Sequence, residues 1–469
     1  MRLDIPDKIV PAENLGRVHF IGIGGAGLSG IARLMAQLGI AVSGSDQADS
    51  VVLAALRAEG ITCFAGHDAA HLDGIDTVIA STAVRGDNPE IVEARRRGLR
   101  LWPRSAGLQS VLAGHRTIAV AGTHGKTTTT AMLTMALAAA GADPSFAIGA
   151  EVPSLGTNAR KGDGELFVAE ADESDGAFLV YTPAVAVVTN VDADHLDNYG
   201  TIESYEEAFC EFVSHVREFA VLCADDPGAV RLLEHARTLD LDIITAGFTG
   251  GANVQGSDLE IDGSGTTFSV ARDGKPLGQV ELQVPGQHYA IDALLALGAG
   301  LAAGHDFDQL AAGLARFTGA KRRMEALGEA GGVRVYDSYA HHPTEIRGDL
   351  AAARAIAGSD RLVVAFQPHL VSRTRTFGAQ MGAELGAADV AVIADIYVAR
   401  EDPDPAVTPD LILNAVDGAE AIAGGGVEGL PERLAALIRP GDLLLTLGAG
   451  DIATVGPRVL DLLRARDGV

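Results

Sequence analysis

Cysteine is scarce: only Cys63, Cys210 and Cys223 occur among 469 residues. They are scattered, odd in number and without metal-ligand spacing. That pattern excludes a disulfide framework and a thiolate metal centre and fits a reducing compartment. Positive charge is also in deficit, with 36 Lys and Arg against 62 Asp and Glu and a formal net charge of −26. A phosphate backbone or an anionic membrane is held by surplus basic residues, so neither is an expected partner and any phosphate must be met locally. No apolar run approaches about 18 residues, the length that spans a bilayer. The opening stretch, Met1 to Lys8, has no signal-peptide core. A cytoplasmic protein without membrane insertion is therefore expected. The composition is otherwise globular, 47% hydrophobic and 21% charged. At about 150 residues per domain the length suggests three domains.

The stretch Val120-Ala-Gly-Thr-His-Gly-Lys-Thr-Thr-Thr-Thr130 organises the rest. An apolar run at 117–120 precedes it and an Ala/Leu-rich run at 131–140 follows, so it reads as strand, glycine loop and helix. Gly122 and Gly125 let backbone N–H groups approach an anion. Lys126 supplies a charge that can follow it, and Thr127 offers a hydroxyl to a magnesium ion. Helix capping by threonine would explain neither Lys126 nor two glycines. The first glycine of the full nucleotide-binding pattern is Val120 here. Such a loop indicates a nucleoside triphosphate but not its use.

Residues 1–112 read as a first domain. A strand at 17–21 turns through Gly22-Ile-Gly-Gly-Ala-Gly27 into a helix at 28–38, and a second strand, 42–46, ends in Asp46. This is the dinucleotide-type fingerprint, with Gly22, Gly24, Gly25, Ala26 and Gly27 placed for a pyrophosphate and Asp46 for a hydroxyl. A glycine turn that merely packs helix on strand is the alternative. Ser81 and Thr82 follow another strand's carboxyl end, where ligands of parallel sheets bind.

Residues 113–318 form a second unit built on the phosphate loop. Two acidic segments end apolar strands: Glu170-Ala-Asp-Glu-Ser-Asp175, and 189–197 with Asp194 and His195. Magnesium takes oxygen ligands, and a carboxylate at a strand end beside a phosphate loop supplies one. Short alternating segments between 242 and 284, with a turn at 272–275, predict a small antiparallel sheet. His288 and Asp292 open the next helix. Residues 319–469 read as a third, Rossmann-like αβ unit. Its strand ends carry Tyr339, His341, Gln367, His369, Arg373 and Arg375, a grouping that fits a bound substrate.

Taken together, the first glycine loop, the phosphate loop, Glu170 to Asp175, Asp194-His195, His341-His-Pro-Thr-Glu345 and Phe366-Gln-Pro-His369 resemble the Mur ligases over nearly the whole chain. The likeness is greatest to members that join L-alanine to UDP-N-acetylmuramate. It implies a UDP-sugar-binding domain, an ATP-binding central domain and an amino-acid-binding C-terminal domain, as monomer or homodimer. It implies ATP as substrate and two magnesium ions, one held by Thr127 and Glu170, the other by Glu170 and His195. Lys126, Glu170 and His195 are the implied catalytic residues. The implied ATP contacts are Gly122, Thr123, His124, Gly125, Lys126, Thr127, Thr128, His288, Asp292, Arg323 and Asp337. Gly22 to Gly27, Asp46, Ser81 and Thr82 would meet the UDP-sugar, and Tyr339, His341, His369 and Arg373 the amino acid. Other family members place a carbamylated lysine near the second metal. No lysine lies between Lys161 and Lys275.

Three positions depart from the family pattern: Leu370 stands for an arginine, Asp292 for an asparagine and Ser338 for a second aspartate. Arg375 is placed to compensate for Leu370. Two rival functions are a ligase attaching a recycled murein tripeptide to UDP-N-acetylmuramate and a nicotinamide-dependent oxidoreductase. The second would leave Lys126, Glu170 and His195 without work.

Overall fold

The computed structural model describes residues 3–467 apart from Asp175, Ser264 and Arg400, so the last acid of the Glu170 segment lies outside the described residues. The chain forms two compact units: residues 1–257, 269–280 and 291–316, and residues 258–268, 281–290 and 317–469.

The first sheet comprises β1 (Val18–Ile21), β2 (Val42–Asp46), β3 (Thr62–Ala65), β4 (Thr77–Ala80) and β5 (Arg100–Pro103), in the order β3-β2-β1-β4-β5. Every pair is parallel. β1 and β4 are buried along their whole length, as befits strands covered on both faces. The helix Pro89–Arg97 shows how local sequence sets the bounds. Asn88 Oδ1 accepts the Glu90 and Ile91 N–H groups, Pro89 fills the first turn, and Gly98 closes the helix at φ 64°.

The central sheet comprises β6 (Arg116–Ala121), β7 (Ser145–Val152), β8 (Thr157–Arg160), β9 (Leu166–Glu170), β10 (Val185–Val188), β11 (Phe219–Cys223), β12 (Asp242–Gly247), β13 (Val254–Asp262), β14 (Gly265–Arg272) and β15 (Lys275–Leu282). Its order is β15-β14-β13-β12-β11-β10-β6-β9-β7-β8. β6 lies parallel between β9 and β10, so the phosphate loop and both acidic segments leave the sheet at one edge. The alternating segments are present, with Asp273 and Gly274 both left-handed in the turn joining β14 to β15. They continue the central sheet through the parallel pairing of β12 with β13.

The helix after the phosphate loop begins at Lys126, so all four threonines are helical and buried. Two threonine hydroxyls in this helix are satisfied within it. Thr130 donates to the Lys126 carbonyl and Thr134 to that of Thr130, each at 2.7 Å.

One apolar cluster runs from Phe20 and Leu34 through Val111 to Phe167, Phe209 and Leu232, joining the first sheet to the central one. Polar contacts fix the same junction. Asn158 on β8 donates to the Ala26 carbonyl at 2.8 Å and accepts from Arg33 at 2.6 Å, while Gln37 accepts the Lys161 N–H at 2.6 Å.

The third sheet comprises β16 (Glu325–Ala330), β17 (Val333–Ser338), β18 (Leu362–Phe366), β19 (Val390–Ala394), β20 (Glu420–Gly425) and β21 (Leu443–Leu447), in the order β16-β17-β21-β18-β19-β20. Only β16 is antiparallel to its neighbour. Leu443, Leu445 and Leu447 enter the core on one face and Leu444 the core on the other, the period-two alternation of a strand buried on both sides.

Candidate active site

Gly122 and Gly125 are both at positive φ, 135° and 79°. A side chain at Gly122 would run into Thr189, and a Cβ at Gly125 would lie 2.6 Å from Asp292 Oδ1, so the loop admits only glycine at either place. The segment after β10 braces the loop. Asn190 Oδ1 accepts the His124 N–H at 2.8 Å, and the Thr189 hydroxyl donates to the His124 carbonyl. Thr123 bonds Tyr205 at 2.9 Å and accepts the Asp192 N–H at 2.9 Å. Thr128 is buried in the first helical turn. Thr129, one turn above Gly125, donates to Asp292 Oδ1 at 3.0 Å.

Lys126 folds back over its own loop, donating to the carbonyls of Gly122 at 2.6 Å and Thr123 at 3.0 Å. It also pairs with Glu173 Oε2 at 2.8 Å. Burial opposes the ammonium charge, but Glu173, Asp172 and Glu170 together raise the lysine above its ordinary value. One cation serves several acids, and Glu173, fully buried and beside Asp172, is itself pushed up to about 7. Burial raises Asp172 too, but Arg104 at 2.7 Å and Lys126 outweigh it and hold this acid well below the usual range.

Thr127 donates to Glu170 Oε2 at 3.0 Å, and the same oxygen accepts the Gly149 N–H at 2.7 Å. These are hard oxygen donors at the start of a phosphate-loop helix, a set suited to magnesium. His195 occupies a left-handed position at φ 55° and turns its Nε2 to Glu173 Oε1 at 3.5 Å and Asp194 Oδ2 at 3.6 Å. The acids facing His195 are thus Glu173 and Asp194. Glu173 has no role in the family resemblance; its place three residues beyond Glu170 on the same loop is the signal for it in the sequence.

In the first domain Gly22 is left-handed at φ 84°, and Gly24 N–H donates to Asp46 Oδ2 at 2.8 Å. Asp46 also accepts the Gln47 N–H, so it shapes the glycine loop directly. Gly25 N–H closes the turn on the Gly22 carbonyl, and Ala26 begins the helix. Ser81 lies against Gly22, with Thr82 next in the chain. A Cβ at Gly27 would lie 3.0 Å from Arg104 Cδ. Arg104 therefore brings a cation to this loop, and nothing in a glycine pattern announces it.

In the second unit Asp337 accepts from Arg322 Nε at 3.0 Å and from the Thr446 hydroxyl at 2.6 Å. The arginine engaged with Asp337 is Arg322; Arg323 approaches Glu345 at 4.0 Å and lies 5.3 Å from the Tyr339 ring. Two adjacent arginines are indistinguishable by spacing, and Arg322, left-handed at φ 59°, is the one that turns to the acid. Tyr339, His341, His369 and Arg373 come together. The Tyr339 and His341 rings are 5.3 Å apart, those of His341 and His369 5.9 Å, and Arg373 Nη1 is 3.3 Å from His369 Nδ1. Arg375 instead pairs with Asp404 at 2.6 Å on an exposed surface. His288 is held neutral by burial, its pKa lowered to about 4.

A phosphate-cradling loop with a lysine, an adjacent hydroxyl–carboxylate pair and a dinucleotide-type domain docked beside it define an enzyme that spends a nucleoside triphosphate on a second nucleotide-like substrate. Residues 17–116 match the model of the Mur ligase family catalytic domain, 120–300 that of the Mur ligase middle domain and 322–450 that of the Mur ligase glutamate ligase domain. The chain is 58% identical over 467 residues to UDP-N-acetylmuramate–L-alanine ligase of a Nocardioides species, covering 99% of this chain and all of that one. It is 49% identical to the enzyme of the same name from Acidothermus cellulolyticus, covering 97% of each. The crystal structure of UDP-N-acetylmuramate-alanine ligase from Thermotoga maritima superposes with a TM-score of 0.82 at 29% identity, covering 97% of this chain and 100% of that one. This chain belongs to the Mur ligase family.

Proposed function

We infer that the protein joins L-alanine to the lactyl carboxylate of UDP-N-acetylmuramate, using ATP and releasing ADP and phosphate, in peptidoglycan precursor synthesis. Relatives of that name at 45–58% identity over at least 95% of the chain support this reading over the tripeptide ligase. The cluster of Lys126, Glu170, Glu173 and His195 at the phosphate loop favours it over the oxidoreductase. Among the described residues no helix is long and apolar enough to cross a membrane. A cytoplasmic location belongs to the same reading.

The chemistry follows from the groups. A carboxylate does not acylate an amine at neutral pH, because oxide is a poor leaving group. In-line attack of the lactyl carboxylate on the γ-phosphorus of ATP yields an acyl phosphate, which the amine of L-alanine can open with loss of phosphate. Lys126 would leave the carbonyls of Gly122 and Thr123 to follow the transferring phosphoryl charge, while the N–H groups of residues 125–128, at the start of the helix, would cradle the phosphates. Magnesium, when bound, supplies charge neutralisation between the anionic reactants. Thr127 with Glu170, and His195 with Glu173, are the residues that would hold it. Arg104 and residues 22–27 would hold the diphosphate of the sugar nucleotide. Arg373 would hold the amino-acid carboxylate, with His341, His369 and Tyr339 beside it. The carrying observation is the Thr127–Glu170 pair at 3.0 Å beside Lys126. The test is phosphate release that requires UDP-N-acetylmuramate, L-alanine and ATP together, and its absence in Lys126→Ala. Release without the sugar nucleotide would mean hydrolysis rather than ligation.

A further inference from the structure

In the first domain one buried acid is met by three histidines and, among the described residues, by no lysine or arginine. Glu90, in the first turn of the helix Pro89–Arg97, has no exposed surface. Its Oε1 lies 2.7 Å from His71 Nδ1 and 3.5 Å from His19 Nε2. Its Oε2 lies 3.0 Å from His67 Nδ1 and accepts from the Ser45 hydroxyl at 2.6 Å. Burial alone would raise Glu90, but His19, Ser45 and His71 outweigh it and hold the acid at about 2. The carboxylate is therefore ionised at neutral pH, and a buried charge needs an opposite one. The other charged groups nearby are engaged elsewhere. Asp46 accepts from Gly24 and Gln47, Asp68 caps Ala70, and Glu93 pairs with Arg96 and Arg97, the latter also with Asp73. Arg100 donates to the Asn14 carbonyl and the Thr77 hydroxyl, Arg17 lies against Gly74, and burial pushes the Cys63 thiol up. Imidazole protons are what remains to balance Glu90.

This cage reaches the glycine loop through Ser45. While its hydroxyl is held by Glu90, its carbonyl accepts the N–H groups of Gly22 and Ile23 at 2.8 and 3.1 Å. The next residue, Asp46, accepts the Gly24 N–H with its side chain and the Gly66 N–H, beside His67, with its carbonyl. The segment with Ser81 and Thr82 leads through the cap Asn88 into the turn that carries Glu90. Both stretches assigned to the sugar nucleotide are thus tied to one carboxylate.

We propose that Glu90 is a positioning residue for the sugar-nucleotide loop, and that the imidazole protons of its cage make the binding of UDP-N-acetylmuramate depend on pH. Glu90 touches no substrate. As the pH rises the imidazoles lose charge, the buried carboxylate loses its balance, and Ser45 holds the loop less firmly. This rests on the ligase reading and concerns one step of it, the entry of the sugar nucleotide. The test is calorimetric titration of the full chain with UDP-N-acetylmuramate from about pH 5 to about pH 8, the window in which imidazoles change charge. The ligand has no group that titrates there, since its diphosphate is a diester and its carboxyl is already ionised. In the parent the Kd rises about 5- to 10-fold across this range, the worth of one hydrogen bond. Glu90→Gln removes the charge that needs balancing, and Ser45→Ala cuts the link to the loop. Both variants show the parent's high-pH Kd at every pH, while their KM values for ATP and L-alanine stay within about twofold of the parent. A parent Kd that does not change with pH overturns the proposal. So does a Glu90→Gln protein that binds as the parent does, or one in which ATP and L-alanine suffer equally, since a merely structural residue behaves that way. If Glu90→Gln fails to fold, Ser45→Ala decides, and parent-like binding with a parent-like pH dependence overturns the proposal. Absence of UDP-N-acetylmuramate binding by the parent at any pH would strike the ligase reading instead.

Discussion

Replacing Lys126 by Met separates what this residue does for the fold from what it does for the reaction. Met keeps most of the apolar stem and removes the ammonium. The lost contacts are the two loop carbonyls at 2.6 and 3.0 Å and Glu173 at 2.8 Å. Glu173 has no exposed surface, so the change leaves a buried acid beside Asp172 without its cation. Breaking a buried pair from one side costs about 3–5 kcal/mol. Here the lower end applies. The Glu173 carboxyl already sits near 7, so it escapes by taking up a proton, at about 1.4 kcal/mol for each pH unit between its ordinary value of 4.5 and the working pH. The expected loss at pH 7 is about 3 kcal/mol by urea denaturation. In Lys126→Met/Glu173→Gln the orphaned charge is gone, and most of that loss returns. Ligation does not return, because the charge that follows the transferring phosphoryl group is still missing. A fall in kcat of about 10²–10³ or more is expected in both variants. A double variant no more stable than the single one would refute the account of Glu173, and ligation surviving in either would refute the role given to Lys126.

Three further outcomes follow from the same geometry. Asp349 is pushed up to about 7 by burial from an ordinary 3.8, so its stabilising contribution is complete below about 4 and is lost as the pH rises through 7. Asp349→Asn is therefore neutral at pH 4 and stabilising at pH 8, by at most about 4 kcal/mol, and equal unfolding midpoints at both pH values would contradict this. Gly125→Ala forces a Cβ against Asp292 at φ 79° and is expected to cost about 2 kcal/mol or more and to abolish ATP-dependent turnover; unchanged KM for ATP would remove the loop from the nucleotide site. Asp292 can only accept hydrogen bonds when ionised, whereas an asparagine accepts from adenine N6 and donates to N7. Asp292→Asn should raise the ratio of kcat/KM for ATP over GTP, and identical ratios in parent and variant would exclude Asp292 from base selection.

Most of the parallel strands were legible because buried strands leave contiguous apolar runs, as in β10, Val-Ala-Val-Val, or β21, Leu-Leu-Leu-Thr-Leu. β16 and β20 were not, since Glu325–Ala330 and Glu420–Gly425 are mostly solvated edge strands and carry no such run. The phosphate loop read correctly as a loop between strand and helix, but the helix starts five residues before the apolar run. Its threonines bond to carbonyls one turn back, a compensation that propensity does not register. Glycines that demand positive φ announced themselves. The groups that lean on the two loops, Arg104 over Gly27 and Asn190 under His124, did not, because partners distant in sequence leave no spacing to read.

The family departures now differ in kind. At Leu370 the lost arginine is not replaced by Arg375, whose guanidinium is spent on Asp404 in an exposed pair of the sort that contributes about 0–1 kcal/mol. Arg373 is 7% exposed and sits against His369, so of the two it is Arg373 that brings a guanidinium to the His341–His369 side of the cluster. A single buried guanidinium still presents a planar fork to a carboxylate. The consequence is one-sided: Arg373→Lys keeps the charge and loses the fork. The KM for L-alanine should then rise at least tenfold, with the KM for ATP and for UDP-N-acetylmuramate nearly unchanged. In Arg375→Ala all three constants should stay near the parent, since only a surface pair is lost. If Arg375→Ala instead raises the KM for L-alanine as Arg373→Lys does, the two arginines share the carboxylate, and the Asp404 pair must open when the amino acid binds.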